Sequence, residues 1–189
     1  MDKVRFGVIG LGNMGSGHTK NLFEGRVPGA ELTAVCDLKQ DRLDWAKGIC
    51  GDKVAYFTDS HELITSGLVD AILIVTPHYD HPPIAIEAMK KGLHVMCEKP
   101  AGVYTKQVKE MNTTAEKTNV VFGMMFNQRT NPVYIKTREL VQSGEFGEIR
   151  RVNWIITNWY RPQAYYNSGA WRATWSGEGG GVLLNQAPH

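Results

Sequence analysis

The segment Val4–Ile9 reads as a buried strand, and it runs straight into Gly10-Leu-Gly12-Asn-Met-Gly15. A second apolar run, Leu32–Cys36, ends at Asp37, 22 residues after Gly15. Strand, glycine loop, helix and an acidic residue closing the next strand together form the pattern of a dinucleotide-binding βαβ unit. The glycine spacing alone would say little. Gly10 permits a tight turn, Gly12 lets backbone N–H groups approach a pyrophosphate, and Gly15 lets the helix sit close on the strand. The helix N-terminus then offers unsatisfied donors and a favourable dipole to the anion. Asn13 and Met14, in the same loop, belong with the cofactor. Asp37 would accept hydrogen bonds from the adenosine ribose hydroxyls and repel a 2′-phosphate, which favours NAD. Lys39 offsets part of that charge, so NADP stays open.

Beyond the loop, apolar runs keep alternating with amphipathic stretches. Helices are expected over Gly15 to about Gly25 and over Lys39 to Lys47, the second stopped by Gly48. Val54–Phe57 is a short strand, and Asp59-Ser-His-Glu62 resembles a capping box. Ala71–Val75 is a fully apolar strand closed by Thr76-Pro77. Pro82-Pro83 and Gly92 bracket a helix, with Pro at the start and Gly past the end. Leu93–Cys97 is a strand, Lys106–Thr118 a helix behind a Thr105 cap, and Val120–Phe126 a sixth strand. Continuous apolar strands separated by helices imply a parallel sheet covered on both faces. Residues 1–126 are therefore expected to form an α/β, doubly wound Rossmann sheet.

The character changes after residue 126. Pro132 opens a helix that reaches about Gln142 and stops at Ser143-Gly144. Glu148–Trp159 follows as a strand-like stretch. Seven of the chain's 18 aromatic residues lie between Trp154 and Trp175. Residues 127–189 are read as the start of an incomplete α/β second domain. The formal net charge of +2 and the absence of long basic runs argue against nucleic acid as the main partner. No apolar run reaches the roughly 18 residues of a membrane span, and no signal peptide is visible. Three cysteines without C-x-x-C spacing fit reduced thiols in a cytoplasm.

Three more motifs sit where such a sheet presents its ligand crevice: Thr76-Pro-His-Tyr-Asp-His81, Glu98-Lys-Pro100 and Gly179-Gly-Gly-Val-Leu-Leu-Asn-Gln-Ala-Pro-His189. With the glycine loop, they resemble the Gfo/Idh/MocA family of NAD(P)-dependent oxidoreductases. The resemblance implies a Rossmann domain followed by an α/β domain on a large open sheet, with the active site between them. It also implies a sugar, sugar derivative or cyclitol as substrate, oxidised at a secondary hydroxyl, and a homo-oligomer such as a dimer or tetramer. It places the essential lysine at Lys99 and the catalytic histidine at His189, and it lays Thr76, Pro77, His81 and Glu98 along the cofactor. Many members carry an aspartate four residues before the histidine, where this chain has Asn185. The family's second domain continues past the histidine, so the chain is expected to be truncated there and inactive alone.

In this chemistry an imidazole suits general-base work, since its unperturbed pKa is near 6.5. A lysine can steady a developing alkoxide. Asn127 is a candidate contact to the nicotinamide ribose or amide. Trp159, Tyr160, Arg161, Tyr165, Tyr166, Trp171 and Arg172 could form a sugar pocket, aromatic faces stacking on C–H surfaces and Arg pairing with hydroxyls or a phosphate; ordinary packing is the competing explanation. Trp171 and Arg172 are the favoured pair. His78 and His81 have H-x-x-H spacing, but no third ligand is evident, so no metal is expected. His18 reads as structural. Two alternative functions remain: an NAD-dependent glycosidase that oxidises the sugar transiently, and a non-catalytic sugar-sensing regulator.

Overall fold

A computed structural model describes residues 3–157 and 160–189. The chain divides into two compact units between Met125 and Phe126. In the first, six parallel strands, β1 (Val4–Ile9), β2 (Ala30–Cys36), β3 (Ala55–Phe57), β4 (Ala71–Ile74), β5 (His94–Glu98) and β6 (Phe122–Met125), stand in the order β3-β2-β1-β4-β5-β6. This is the doubly wound order expected, with its reversal between β1 and β4. Five helices connect the strands: α1 (Asn13–Phe23), α2 (Gln40–Cys50), α3 (Ser60–Thr65), α4 (His81–Lys90) and α5 (Thr105–Lys117).

The period-two alternation of a strand, shifted by one residue in β2 at Thr33, divides the core into two layers. Ile9, Ala34, Cys36, Ile72, Ile74, Val95 and Cys97 face α3, α4 and α5, meeting Leu63, Ile64, Ala85, Ala88, Met89 and Met111. Val8, Leu32, Val35 and Leu73 face the other way, onto Leu22 of α1 and Leu43, Ala46 and Cys50 of α2. Met111 is the only buried residue of α5. Truncating it to Ala would cost about 2–5 kcal/mol and loosen that helix first.

Several element boundaries differ from the sequence expectation, each for a local reason. Helix α1 starts at Asn13 because extended Gly12 serves as its N-cap. Helix α2 runs through Gly48 to Cys50: one interior glycine costs only about 1 kcal/mol, and Cys50 is buried at the helix end. The helix stops instead at Gly51, whose φ is +59°. Helix α5 includes Thr105; its N-cap is Tyr104, whose ring meets Tyr79 edge-on at 5.7 Å. Asp59 caps α3 as expected, its side chain accepting the His61 N–H.

In the second unit, α6 (Pro132–Gln142) forms behind Asn131, whose side chain accepts the Val133 N–H. Three short helices follow: α7 (Gln163–Asn167), α8 (Trp175–Glu178) and α9 (Val182–Asn185). The strand expected over Glu148–Trp159 does not form among the described residues; Asn158 and Trp159 lie outside them. A strand exists only against a partner, and no strand of the described chain pairs with this segment. Its apolar side chains, including Val152, Trp154 and Ile155, are exposed.

Candidate cofactor and substrate sites

The crevice is built at the carboxyl ends of β1, β2, β4 and β5. Gly10 follows β1 and has φ +94°; a Cβ there would lie 2.7 Å from the Val75 carbonyl oxygen after β4. The Gly10 N–H donates to the Cys36 carbonyl at 2.8 Å, tying the loop to the end of β2. A Cβ on Gly15 would lie 1.8 Å from the Gly10 carbonyl oxygen, so only glycine lets α1 approach this closely. At Gly12 a Cβ would meet nothing within 4 Å. Thus Gly10 and Gly15 are required by the protein's own packing, whereas the space over Gly12 is open.

Asp37 organises this loop from the neighbouring strand. Its Oδ2 accepts the Leu11 N–H at 2.7 Å and its Oδ1 accepts the Lys39 N–H at 2.9 Å. Helix α1 has no side-chain cap bond at its N-terminus and no acidic residue in its first turn. The first-turn N–H groups, Asn13 and Met14 among them, therefore face outward as donors with no intrahelical acceptor. Thr76, just beyond β4, carries a buried hydroxyl with no hydrogen-bond partner. An open glycine, unanswered N–H donors, an orphan hydroxyl and a carboxylate on the adjacent strand fit a dinucleotide: pyrophosphate on the helix end, ribose toward Asp37.

Around β5 the residues interlock. Glu98 is 7% exposed; its Oε2 accepts the Lys99 N–H at 3.2 Å and its Oε1 lies 3.3 Å from His18 Nε2. Its carboxylate therefore holds the turn that carries Lys99, a half-buried side chain. His18 was read as structural, and its pairing with Glu98 brings α1 to the lysine turn. The available signal was position: His18 lies one turn beyond Gly15, on the same helix face.

His81, expected along the cofactor, is buried between two backbone carbonyls at this end of the sheet. It is 1% exposed, with Nδ1 2.7 Å from the Pro100 carbonyl oxygen and Nε2 2.9 Å from the Thr76 carbonyl oxygen. A carbonyl oxygen only accepts, so the neutral imidazole donates to one of the two, and the buried ring packs between the loop after β4 and the lysine turn after β5. Burial pushes the imidazole below its usual range, outweighing the two carbonyls, which pull it up.

The second unit holds the remaining expected residues. Arg161 lies over the Tyr165 ring at 4.4 Å, and Arg172 lies over the same ring at 4.3 Å and over Trp171 at 4.6 Å. Arg172 also donates to the Tyr165 hydroxyl at 2.5 Å. Tyr166 meets Tyr165 edge-on at 5.3 Å. Tyr160 is exposed at 83% and is not drawn into this cluster. Asn185 is buried and donates to Glu178 Oε1 at 2.9 Å, and Glu178 is itself 7% exposed. The sequence reading did not single out Glu178; its signal was an acidic residue set directly before three glycines. His189 is half-buried, and Asn127 opens a short 3-10 turn, Asn127–Thr130, in this unit.

Residues 4–126 match a family described as "Oxidoreductase family, NAD-binding Rossmann fold", and residues 134–189 match the GFO/IDH/MocA C-terminal domain. The myo-inositol 2-dehydrogenase of Thermotoga maritima is 36% identical over 145 residues, 77% of this chain and 42% of that protein. A glycosyl hydrolase family 109 protein of Shewanella putrefaciens is 28% identical over 97% of this chain and 42% of its own length. The crystal structure of the WlbA dehydrogenase from Bordetella pertussis, in complex with NADH and UDP-GlcNAcA, superposes with a TM-score of 0.84 at 29% identity, covering 98% of this chain and 56% of that one. The chain thus spans about 42% of the length of the curated relatives it matches.

Proposed function

We propose a hydride-transfer function on one premise: the chain belongs to the Gfo/Idh/MocA family of oxidoreductases, whose Rossmann domain binds NAD. The substrate proposed is a secondary alcohol of a sugar, sugar derivative or cyclitol. The relatives' named substrates, inositol and UDP-GlcNAcA, are both polyhydroxylated rings. The observation that carries this reading is the shared sheet edge. The open Gly12 loop, locked by Asp37, and the Glu98-braced Lys99 both stand at carboxyl ends of the same parallel strands.

NAD held at this loop would supply the hydride acceptor for the carbinol carbon. The chain's residues do the rest. Gly12, Asn13 and Met14 hold the pyrophosphate through backbone N–H groups, and Asp37 accepts from the adenosine ribose. Lys99 Nζ donates a hydrogen bond to the reacting oxygen and stabilises its developing negative charge. An imidazole nitrogen of His189 takes the hydroxyl proton as the C–H bond gives up its electron pair. Asn185, braced by Glu178, lies four residues before that base. Trp171 and Arg172 are assigned to the sugar.

The test is an NAD-dependent assay of the protein against inositols and sugars, following NADH absorbance, beside Lys99→Ala. Loss of a positioned acid–base or charge-stabilising group lowers kcat about a hundredfold or more. A near-wild-type kcat would remove Lys99 from the mechanism. A second reading, the NAD-dependent glycosidase, is favoured by the family 109 relatives, which align over 97% of the chain. A glycosidase would release the aglycone without accumulating NADH.

A further inference from the structure

Two hydrogen bonds join the helix that begins at the glycine loop to the turn that carries Lys99. Glu98 ends β5 and is buried. Its Oε2 accepts the Lys99 N–H at 3.2 Å, and its Oε1 faces His18 Nε2 of α1 at 3.3 Å. A carboxylate only accepts, so the proton of the second contact sits on Nε2. A buried carboxylate needs such donors, since burial without them is costly. His81 of α4 lies beside the same turn, but its ring nitrogens face the Pro100 and Thr76 carbonyls.

The contact depends on how close α1 lies to the sheet. A Cβ on Gly15 would lie 1.8 Å from the Gly10 carbonyl oxygen. His18 follows Gly15 by three residues and shares its helix face. The close approach that Gly15 permits therefore sets His18 against the end of β5. The N-terminus of the same helix has no side-chain cap bond and no acidic residue in its first turn. Fraying starts at helix ends, and an anion at this end supplies the missing acceptors. His18 stands five residues beyond Asn13 on this one helix. A helix held at its head also holds the imidazole against Glu98.

We propose that His18 is a positioning residue: acting through Glu98, it couples occupancy of the glycine loop to the set of the turn that carries Lys99. This rests on the proposed oxidoreductase reading. A dinucleotide at the loop fixes α1, α1 fixes the His18–Glu98 contact, and Glu98 fixes the Lys99 N–H. The lysine turn is thereby tightened when the loop is filled. A purely structural tie would hold that turn equally with the loop empty or filled.

The experiment measures hydrogen exchange at the Lys99 amide by NMR, with and without saturating NADH, in wild type, His18→Phe and His18→Gln. An NADH titration of each protein sets saturation. In wild type, NADH is expected to slow this exchange about tenfold, the scale of one hydrogen bond to a charged group. The Val95 amide, bonded within the sheet to the Val121 carbonyl, is the reference and is expected not to respond. Phenylalanine keeps a ring but no donor, so in His18→Phe the Lys99 response disappears while the circular dichroism and NADH binding persist. Glutamine keeps a side-chain N–H, so His18→Gln restores the response. If His18→Phe does not fold, His18→Ala takes its place with the same expectation. A response that survives in His18→Phe, or that is absent from His18→Gln as well, overturns the proposal. NADH binding to wild type without a Lys99 response overturns the proposal alone. Failure of wild type to bind NADH overturns the oxidoreductase reading and the proposal with it.

Discussion

The Asp37 carboxylate accepts the Leu11 N–H at 2.7 Å, so the acidic residue that ends β2 also fixes the glycine loop that ends β1. One side chain thereby fixes the shape of the glycine loop, and in the proposed function the same carboxylate is the acceptor for the adenosine ribose. Discrimination between NAD and NADP and the order of the loop are therefore coupled. A change at Asp37 should move both.

Asp37→Ala is expected to lower NAD affinity about tenfold or more and to bring NAD and NADP to similar affinity. It should also cost about 1.5–3 kcal/mol of stability, the scale of a hydrogen bond to a charged group. Paired calorimetric titrations and urea melts of wild type and variant check this. Retained preference for NAD in the variant would remove Asp37 from cofactor selection.

Gly12 and Gly15 should separate binding from folding. Gly15→Ala places a methyl 1.8 Å from the Gly10 carbonyl oxygen and is expected to unfold or severely destabilise the domain. Gly12→Ala meets nothing within 4 Å, so its stability should stay near wild type while NAD affinity falls as the methyl enters the phosphate's approach. Melting curves and NADH titrations of both variants read this out. Wild-type NADH binding by folded Gly12→Ala would place the pyrophosphate elsewhere.

His81 predicts a pH dependence with a definite sign. Burial lowers its folded-state pKa below the ordinary 6.5. As pH falls, the unfolded chain therefore takes up the proton first, and stability rises with pH across this window. The contribution of the neutral buried ring is present above about 6.5 and drains away below it. Urea melts at pH 5 and pH 8 should show the difference in wild type and a smaller one in His81→Gln. The variant should also lose about 1–3 kcal/mol at pH 8 by leaving a buried carbonyl without its donor. An unchanged pH slope in the variant would assign the dependence to another group.

The three cysteines are free and buried. Burial pushes the Cys36 thiol up to about 12 and raises Cys50 and Cys97 as well. Thiolate is the reactive form, so the native protein should resist a thiol reagent at pH 8, with three equivalents reacting after unfolding in urea. Fast labelling of the folded protein would contradict this burial.

What could be read from the sequence divides along physical lines. The packing roles of Gly10 and Gly15 were legible because each depends on a turn and a helix start within six residues. The doubly wound parallel class followed from alternating apolar runs and helices, which permit few arrangements. The His18–Glu98 pair spans 80 residues, and no local pattern announces it. His81 opens α4 just beyond β4, and its neighbours are two backbone carbonyls, which a sequence does not display. The stretch after Glu148 shows the opposite failure. Its β-branched and aromatic residues favour a strand, yet that preference is realised only against a neighbouring strand.

In the proposed function, the open space at Gly12, beside Asp37 and Thr76, holds NAD. Equilibrium titration of the wild-type protein with NADH and with NADPH, followed by nicotinamide fluorescence, tests it most directly. The structure predicts saturable one-to-one binding of NADH, about tenfold or more tighter than NADPH, a difference of about 1.4 kcal/mol. Failure to bind either nucleotide, or equal affinity for both, would contradict it.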